Sequence, residues 1–285
     1  MDNSKQVLIY TDFSDSSGKS IKCGLEWTFK LSAHAILFHI PKLNSITKHF
    51  NFDAESEVIA NKFSEIYTSS IQEKLIEEKK KYLRRDIPIS TKIVDDNGVE
   101  SFNNYVSKNK VSLLVLPILF KSYDKIFFND SIERIIRTSK VPVLVVQNAE
   151  TIKPKNVLFP FDFDAESIKT LSLLDSLSNK FNISVTPVHI TSEDSLENLK
   201  LSSTEEKFRS EIFNIFENLK NCNEIEIINT DGKSVKEALG LYISSTPCDL
   251  VVMGSSTKST LERLTLGSVA EYILRNCKKS LLISK

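Results

Sequence analysis

Net charge is the first thing this sequence lacks: Lys and Arg total 37, and Asp and Glu total 37. A chain without a global field has no general attraction for nucleic acid or an anionic membrane, so neither is expected as a partner and function must be sought in local sites. Cysteine is scarce and unpatterned. Cys23, Cys222, Cys248 and Cys277 show no C-x-x-C spacing, which argues against a disulfide framework or a cysteine zinc site and fits the reduced thiols of a cytoplasmic protein. The four histidines, His34, His39, His49 and His189, never fall at i, i+4 as a helical metal motif requires, so no metal is expected. No apolar run approaches the roughly 18 residues of a membrane helix. The segment Met1 to Lys5 is too polar to open a signal peptide, and the expected location is the cytoplasm. A P-loop is missing as well. Gly18 and Gly232 are each followed by Lys and Ser, but the glycine needed five residues upstream is Phe13 in one case and Ile227 in the other.

What is present is a repeat. The run from Gln6 to Phe13 (QVLIYTDF) is echoed 150 residues later by Asn156 to Phe163 (NVLFPFDF), a short apolar strand running into an Asp-Phe pair. Ala35 to Ile40 (AILFHI) is echoed at the same offset by Val185 to Ile190 (VTPVHI). Ser112 to Pro117 (SLLVLP) matches Asp249 to Gly254 (DLVVMG) at an offset of 137, shortened by a smaller helical region between. A chain of 285 residues, 41% hydrophobic, is long enough for two domains with full cores. The repeat divides it into residues 1–148 and 153–285, with the polar stretch Asn148 to Lys155, carrying Pro154, as the linker.

Within each half, strand-length apolar runs alternate with longer amphipathic stretches. The first half has strands near Val7 to Tyr10, Ala35 to His39, Ile87 to Val94, Leu113 to Leu116 and Val141 to Val146. The second has them near Val157 to Pro160, Ile183 to His189, Glu224 to Ile228, Leu250 to Met253 and Ser280 to Ser284. Phe208, Ile212, Ile215, Phe216 and Leu219, at three- and four-residue steps, typify the helical stripes between them. Nearly continuous apolar strands separated by helices predict a parallel sheet covered on both faces. The expected fold is α/β: two tandem five-stranded, parallel, doubly wound, Rossmann-like domains. Such sheets bind ligands beyond the carboxyl ends of their strands, where strand order reverses. That singles out the loop after the first strand, with Asp12 or Asp162, and the loop after the fourth, from Pro117 or Gly254.

The second of these loops runs Met253, Gly254, Ser255, Ser256, Thr257, Lys258 and continues through Leu261, Leu264 and Leu266 to Gly267, Ser268, Val269 and Ala270. It resembles the signature of the universal stress protein family: glycine, two residues, glycine, nine residues, then glycine and serine or threonine, around the phosphates of ATP. The resemblance extends to the flanking runs and covers essentially the whole chain. It implies an adenine nucleotide alpha hydrolase-like fold and an adenine nucleotide held by Met253, Gly254, Ser256, Thr257, Gly267, Ser268 and Val269. Phe161 and Asp162 then lie beside the adenine and ribose, and His189 or Ile190 lines the base pocket. Glycine suits a backbone that approaches phosphate closely, and Gly267 with Ser268 opens a helix whose N–H groups face the anion. Two plainer roles stand beside these: Asp162 capping the helix that begins near Ala165, and Gly254 serving only a tight turn.

The match is incomplete. Thr257 stands at the middle glycine, where a β-branched residue disfavours positive φ; Thr257 and Lys258 offer a hydroxyl and a cation in return. In the first half the corresponding positions are Pro117, Phe120 and Asp130, with only Ser131 retained. Pro117 removes an N–H, Phe120 fills space and Asp130 sets a carboxylate where phosphate belongs, so no triphosphate is expected there. The run of Ile118, Leu119, Phe120, Ile126, Phe127 and Phe128 closes that pocket or packs on a partner.

The function the resemblance implies is a stress-response regulatory or sensing module that binds ATP or a related adenine nucleotide in its second half. Two alternatives stand beside it: a nucleotide-free interaction scaffold of the same fold, and a slow ATP hydrolase, for which no general base with a positioned partner is identified. Family members pair through their last strand, which implies pairing of Val141 to Val146 with Ser280 to Ser284 in an intrachain pseudo-dimer. A homodimer through the helical surface around Phe50 to Tyr82 is the further possibility.

Overall fold

The computed structural model of the protein describes residues 5–41, 54–83, 85–94, 98–118, 130–192, 197–255 and 267–285. They divide into two compact units between Pro117 and Ile118.

The first unit runs β1 (Gln6–Tyr10), α1 (Asp15–Lys30), β2 (His34–His39), α2 (Ala54–Lys81), β3 (Ile89–Ile93), α3 (Gly98–Lys108) and β4 (Val111–Pro117). β1 pairs in parallel with β2 and with β4, and β2 pairs in parallel with β3, giving the order β3-β2-β1-β4. Val7, Leu8, Ile9 and Tyr10 are all buried, as a strand covered on both faces requires. Ser14 caps α1 by accepting the Ser17 N–H, with Asp15 in the first turn and Lys30 in the last, the charge order a helix dipole favours. α2 buries Ile71, Leu75 and Glu78 and packs on β2 and β3.

The second unit runs α4 (Asp130–Thr138), β5 (Val143–Val146), a single 3-10 turn (Glu150–Ile152), β6 (Asn156–Pro160), α5 (Ala165–Phe181) and β7 (Ser184–Thr191). It continues through α6 (Ser203–Asn218), β8 (Glu226–Asn229), α7 (Val235–Ser245), β9 (Leu250–Gly254), α8 (Ser268–Asn276) and β10 (Leu281–Ser284). Its strand order is β5-β10-β9-β6-β7-β8, parallel throughout except between β5 and β10. There the register sets Val145 opposite Leu281 and Val143 opposite Ile283, all four fully buried. β5, the last strand expected of the first half, therefore counts with the second unit.

Three helices here start at side-chain caps. Asp164 Oδ1 accepts the Ser167 N–H at 2.8 Å for α5, and Ser202 with Glu205 and Ser234 with Glu237 form reciprocal capping boxes for α6 and α7. α5 ends on Asn182 in the left-handed region, φ 52° and ψ 49°. The polar composition of the linker goes into anchoring. Thr151, fully buried, donates to Asn148 Oδ1 at 2.7 Å, and Asp249 Oδ2 accepts the N–H groups of Lys155 and Asn156 at 2.8 and 2.9 Å.

The fold is α/β with a mostly parallel sheet, and each apolar run predicted as a strand is one, with ends within two residues of the prediction. Among the described residues no helix is long and apolar enough to cross a membrane.

Candidate functional site

β6 lies between β7, which follows it through α5, and β9, which arrives much later in the chain. Strand order reverses there, and the carboxyl ends of β6 and β9 open a cleft of about 320 Å³. That volume is within the roughly 300–1,000 Å³ of small-molecule sites. Pro160, Phe161, Val188, Ile190, Val235, Leu239, Met253 and Val269 supply its apolar wall, and Asp162, Asp164, Glu166, Ser167, Gly254 and Ser268 its polar and backbone edge.

Of the residues predicted for the site, the fold brings Phe161, Asp162, Ile190, Met253, Gly254, Ser268 and Val269 to this one cleft. Gly267 is the N-cap of α8, at φ −50° and ψ 141° with no side-chain cap. The first turn of α8, with Ser268 and Val269, thus faces the cleft with N–H groups that no side chain of the cap position occupies. Ser256 and Thr257 lie outside the described residues, as do Lys258 and, in the first half, Leu119, Phe120, Ile126, Phe127 and Phe128.

His189 is placed differently from the other predicted residues. It is 3% exposed and is not among the residues that line the cleft. Its Nδ1 is 3.1 Å from the Phe161 carbonyl oxygen. A carbonyl only accepts, so Nδ1 carries the hydrogen. The imidazole packs among the rings of Phe161 and Phe163, with centroids 5.5 and 5.0 Å away.

Asp162 does not cap α5; Asp164 does. The Asp162 N–H donates to Ser167 Oγ at 3.1 Å, and its carboxylate, 66% exposed, reaches to 3.7 Å from His189 Nδ1. Gly254 has a packing reason to be glycine. A Cβ there would stand 3.2 Å from Glu166 Cβ and 3.4 Å from the Glu166 carbonyl oxygen, so the absent side chain is what lets α5 lie close on β9. Neither Gly254 nor Gly267 occupies the left-handed region, so close approach, not positive φ, is the property these glycines supply.

Val235 and Leu239 of α7, and Asp164, Glu166 and Ser167 at the start of α5, were not predicted for the site. Leu239 follows Val235 by four residues on one helix face, and the Ser234–Glu237 capping box marks where that face begins. No local signal says that the face meets a loop more than 70 residues earlier in the chain. Asp162, Asp164 and Glu166 make the described lining acidic. Lys169 pairs with Glu166 at 2.8 Å. Lys285 Nζ donates to the Ile136 carbonyl at 2.9 Å, and burial pushes its ammonium down to about 8 against the opposing pull of Glu166. Among the described residues no group of three His, Cys, Asp or Glu side chains is disposed to hold a metal.

The first unit repeats the frame with different contents. His39 Nδ1 is 2.7 Å from the Thr11 carbonyl oxygen, and the Phe13 and His39 rings are 4.8 Å apart, the counterparts of His189, Phe161 and Phe163. Asp12, however, is enclosed by its own turn: it accepts the hydroxyls of Ser14 and Ser17 and the Ser14 N–H. Burial alone would raise its pKa, but these hydrogen bonds outweigh that and hold it below the ordinary carboxylate value. Pro117 ends β4, and Asp130 opens α4 with Ser131 following.

Residues 153–285 match the model of the universal stress protein family. No curated protein sequence matches the chain. Three solved structures are similar to it over nearly its whole length. A universal stress protein from Archaeoglobus fulgidus DSM 4304 is 17% identical, with 98% of each chain covered and a TM-score of 0.66. A candidate universal stress protein from Pseudomonas aeruginosa UCBPP-PA14 is 13% identical over 99% of this chain and 93% of its own, with a TM-score of 0.61. A protein of unknown function from Pseudomonas aeruginosa PAO1 is 13% identical over 99% of this chain and 92% of its own, with a TM-score of 0.60. At these identities the likeness is one of fold. The family match is confined to residues 153–285, and that segment is a universal stress protein domain.

Proposed function

We propose that the protein is a cytoplasmic stress-response regulatory or sensing module whose second half, residues 153–285, binds ATP or a related adenine nucleotide. The observation that carries this reading is the cleft at the reversal of strand order. It sets an apolar wall of Val188, Ile190, Val235 and Met253, suited to the face of a purine, opposite a helix N-terminus without a side-chain cap, suited to phosphate. Asp162, mostly exposed at the rim, is the ribose acceptor in this reading. In this reading Gly254 and Gly267, the described ends of the signature loop, stand on the phosphate side. The first half, residues 1–148, acts as a second copy of the domain without a nucleotide. The antiparallel pairing of β5 with β10 supports an intrachain pseudo-dimer of the two. Occupancy then favours one state of the chain by mass action.

The scaffold reading has one observation in its favour: packing against α5 already accounts for Gly254. Thermal-shift titration with ATP, ADP and AMP separates the two. A ligand at a hundred times its Kd adds about 2.7 kcal/mol of stability, or roughly 2–4 °C per kcal/mol for a domain of this size. The sensor reading requires that rise in the wild type and its loss in Gly267→Trp, whose indole would fill the approach to α8. No rise at millimolar nucleotide leaves the scaffold.

A further inference from the structure

The fold covers one face of α2, and the opposite face carries exposed isoleucines interleaved with polar residues. Ile71, Leu75 and Glu78 are buried in the first unit. On the other side Ile59, Lys62, Ile66, Ser69, Glu73 and Ile76 are all exposed, and Ile59 and Ile66 are 65% and 69% exposed. These six positions follow one another at steps of three, four, three, four and three residues, the spacing of a coiled-coil seam. Phe63, 45% exposed and stacked on Tyr67 with ring centroids 6.2 Å apart, flanks the same seam.

The seam is complementary to itself when reversed. In an antiparallel pair related by a two-fold axis between Tyr67 and Thr68, Ile59 faces Ile76, Lys62 faces Glu73 and Ile66 faces Ser69, and symmetry supplies each pairing twice. Opposite charges meet, the isoleucines at the ends meet each other, and a large side chain meets a small one at the crossing. A parallel pair would set Lys62 on Lys62 and Glu73 on Glu73, which repel. The order of these residues therefore selects both a second copy of this chain and one orientation.

We propose that α2 is a homodimer interface, formed by antiparallel packing of the 59–76 seam against the same seam of a second copy. The contact is about 26 Å long at 1.5 Å per residue. A single helix pair buries less than the roughly 1,600 Å² of a standard interface, so the dimer is weak and concentration-dependent. It does not depend on nucleotide binding.

The test is sedimentation equilibrium of the full chain from micromolar to high-micromolar concentration, with circular dichroism confirming that each variant is folded. The wild type is expected to dimerise. Lys62→Glu alone and Glu73→Lys alone each bring like charges together across the axis, and each is expected to weaken dimerisation at least tenfold. An equimolar mixture of the two single variants restores opposite charges at both positions, and it is expected to recover the dimer as a heterodimer. A wild type that stays monomeric, a dimer indifferent to both reversals, or a mixture that associates no better than its components overturns the proposal. Ile66→Asp serves as a second probe that leaves the Lys–Glu pairs intact: a dimer that tolerates it also overturns the proposal.

Discussion

The Nδ1 of His189 lies 3.1 Å from the carbonyl oxygen of Phe161, and this bond turns a residue that lines a base pocket on sequence grounds into a buried strut behind the cleft. His39 makes the same bond to Thr11 at 2.7 Å in the first unit. The histidine is thus a feature of the repeated frame, common to a unit with the glycine signature and one without it. His189→Ala removes a buried ring and strands the carbonyl of Phe161. The expected loss is about 3 kcal/mol of unfolding free energy, measured by urea denaturation. A loss below about 1 kcal/mol, with nucleotide affinity abolished, would return His189 to the ligand.

Gly254 answers to α5. Gly254→Ala must move the Glu166 backbone or its Cβ by a few tenths of an ångström. Because these atoms belong to a packed helix, the strain outweighs the stabilisation that a less flexible unfolded chain supplies. A net loss of about 1 kcal/mol is expected in the same denaturation experiment, and an increase in stability would contradict the close packing of α5 on β9.

Acid tests the hydrogen bonds that enclose Asp12. Asp12, held below its ordinary pKa by the Ser14 and Ser17 hydrogen bonds, stabilises the fold fully above the unfolded value of about 3.9. That contribution is lost as pH falls through the lower folded value. Stability measured from pH 6 to pH 3 should therefore fall more steeply in the wild type than in Asp12→Ala. Equal slopes would show that the Asp12 hydrogen bonds do not distinguish the folded state.

Lys285 acts at the other end of the scale and, as with Asp12, its depressed folded value makes stability rise with pH. Its folded value of about 8 lies below an unfolded value of about 10.4, so the unfolded chain holds the extra proton between those limits and stability gains from rising pH there. The difference in stability between wild type and Lys285→Met should grow in favour of the wild type from pH 8 to pH 10. A flat difference would mean that the Lys285 ammonium is solvated.

These four residues show how far the sequence could be read. Strand positions were legible because burial on both faces leaves continuous apolar runs such as Val7 to Tyr10 and Leu250 to Met253. The two loops of the cleft were legible because strand order implies them. Capping was not: Asp162 and Asp164 both precede α5, and only the backbone turn decides that Asp164 meets the Ser167 N–H. The α7 wall was hidden for another reason, since Val235 and Leu239 approach the β6 loop through tertiary packing that no local pattern encodes. The resemblance implies that Val143 to Val146 pair with Leu281 to Ser284 but not that the pair is antiparallel, because a short strand buried on both faces reads as a continuous apolar run whichever way its neighbour runs.

The asymmetry of the two halves is the centre of the account, and calorimetric titration of the full chain with ATP, ADP and AMP measures it directly. Binding of one adenine nucleotide per chain, weakened about tenfold in Asp162→Asn and unchanged in Asp12→Asn, is the predicted result. Two nucleotides per chain, or no heat of binding at millimolar nucleotide, would contradict it.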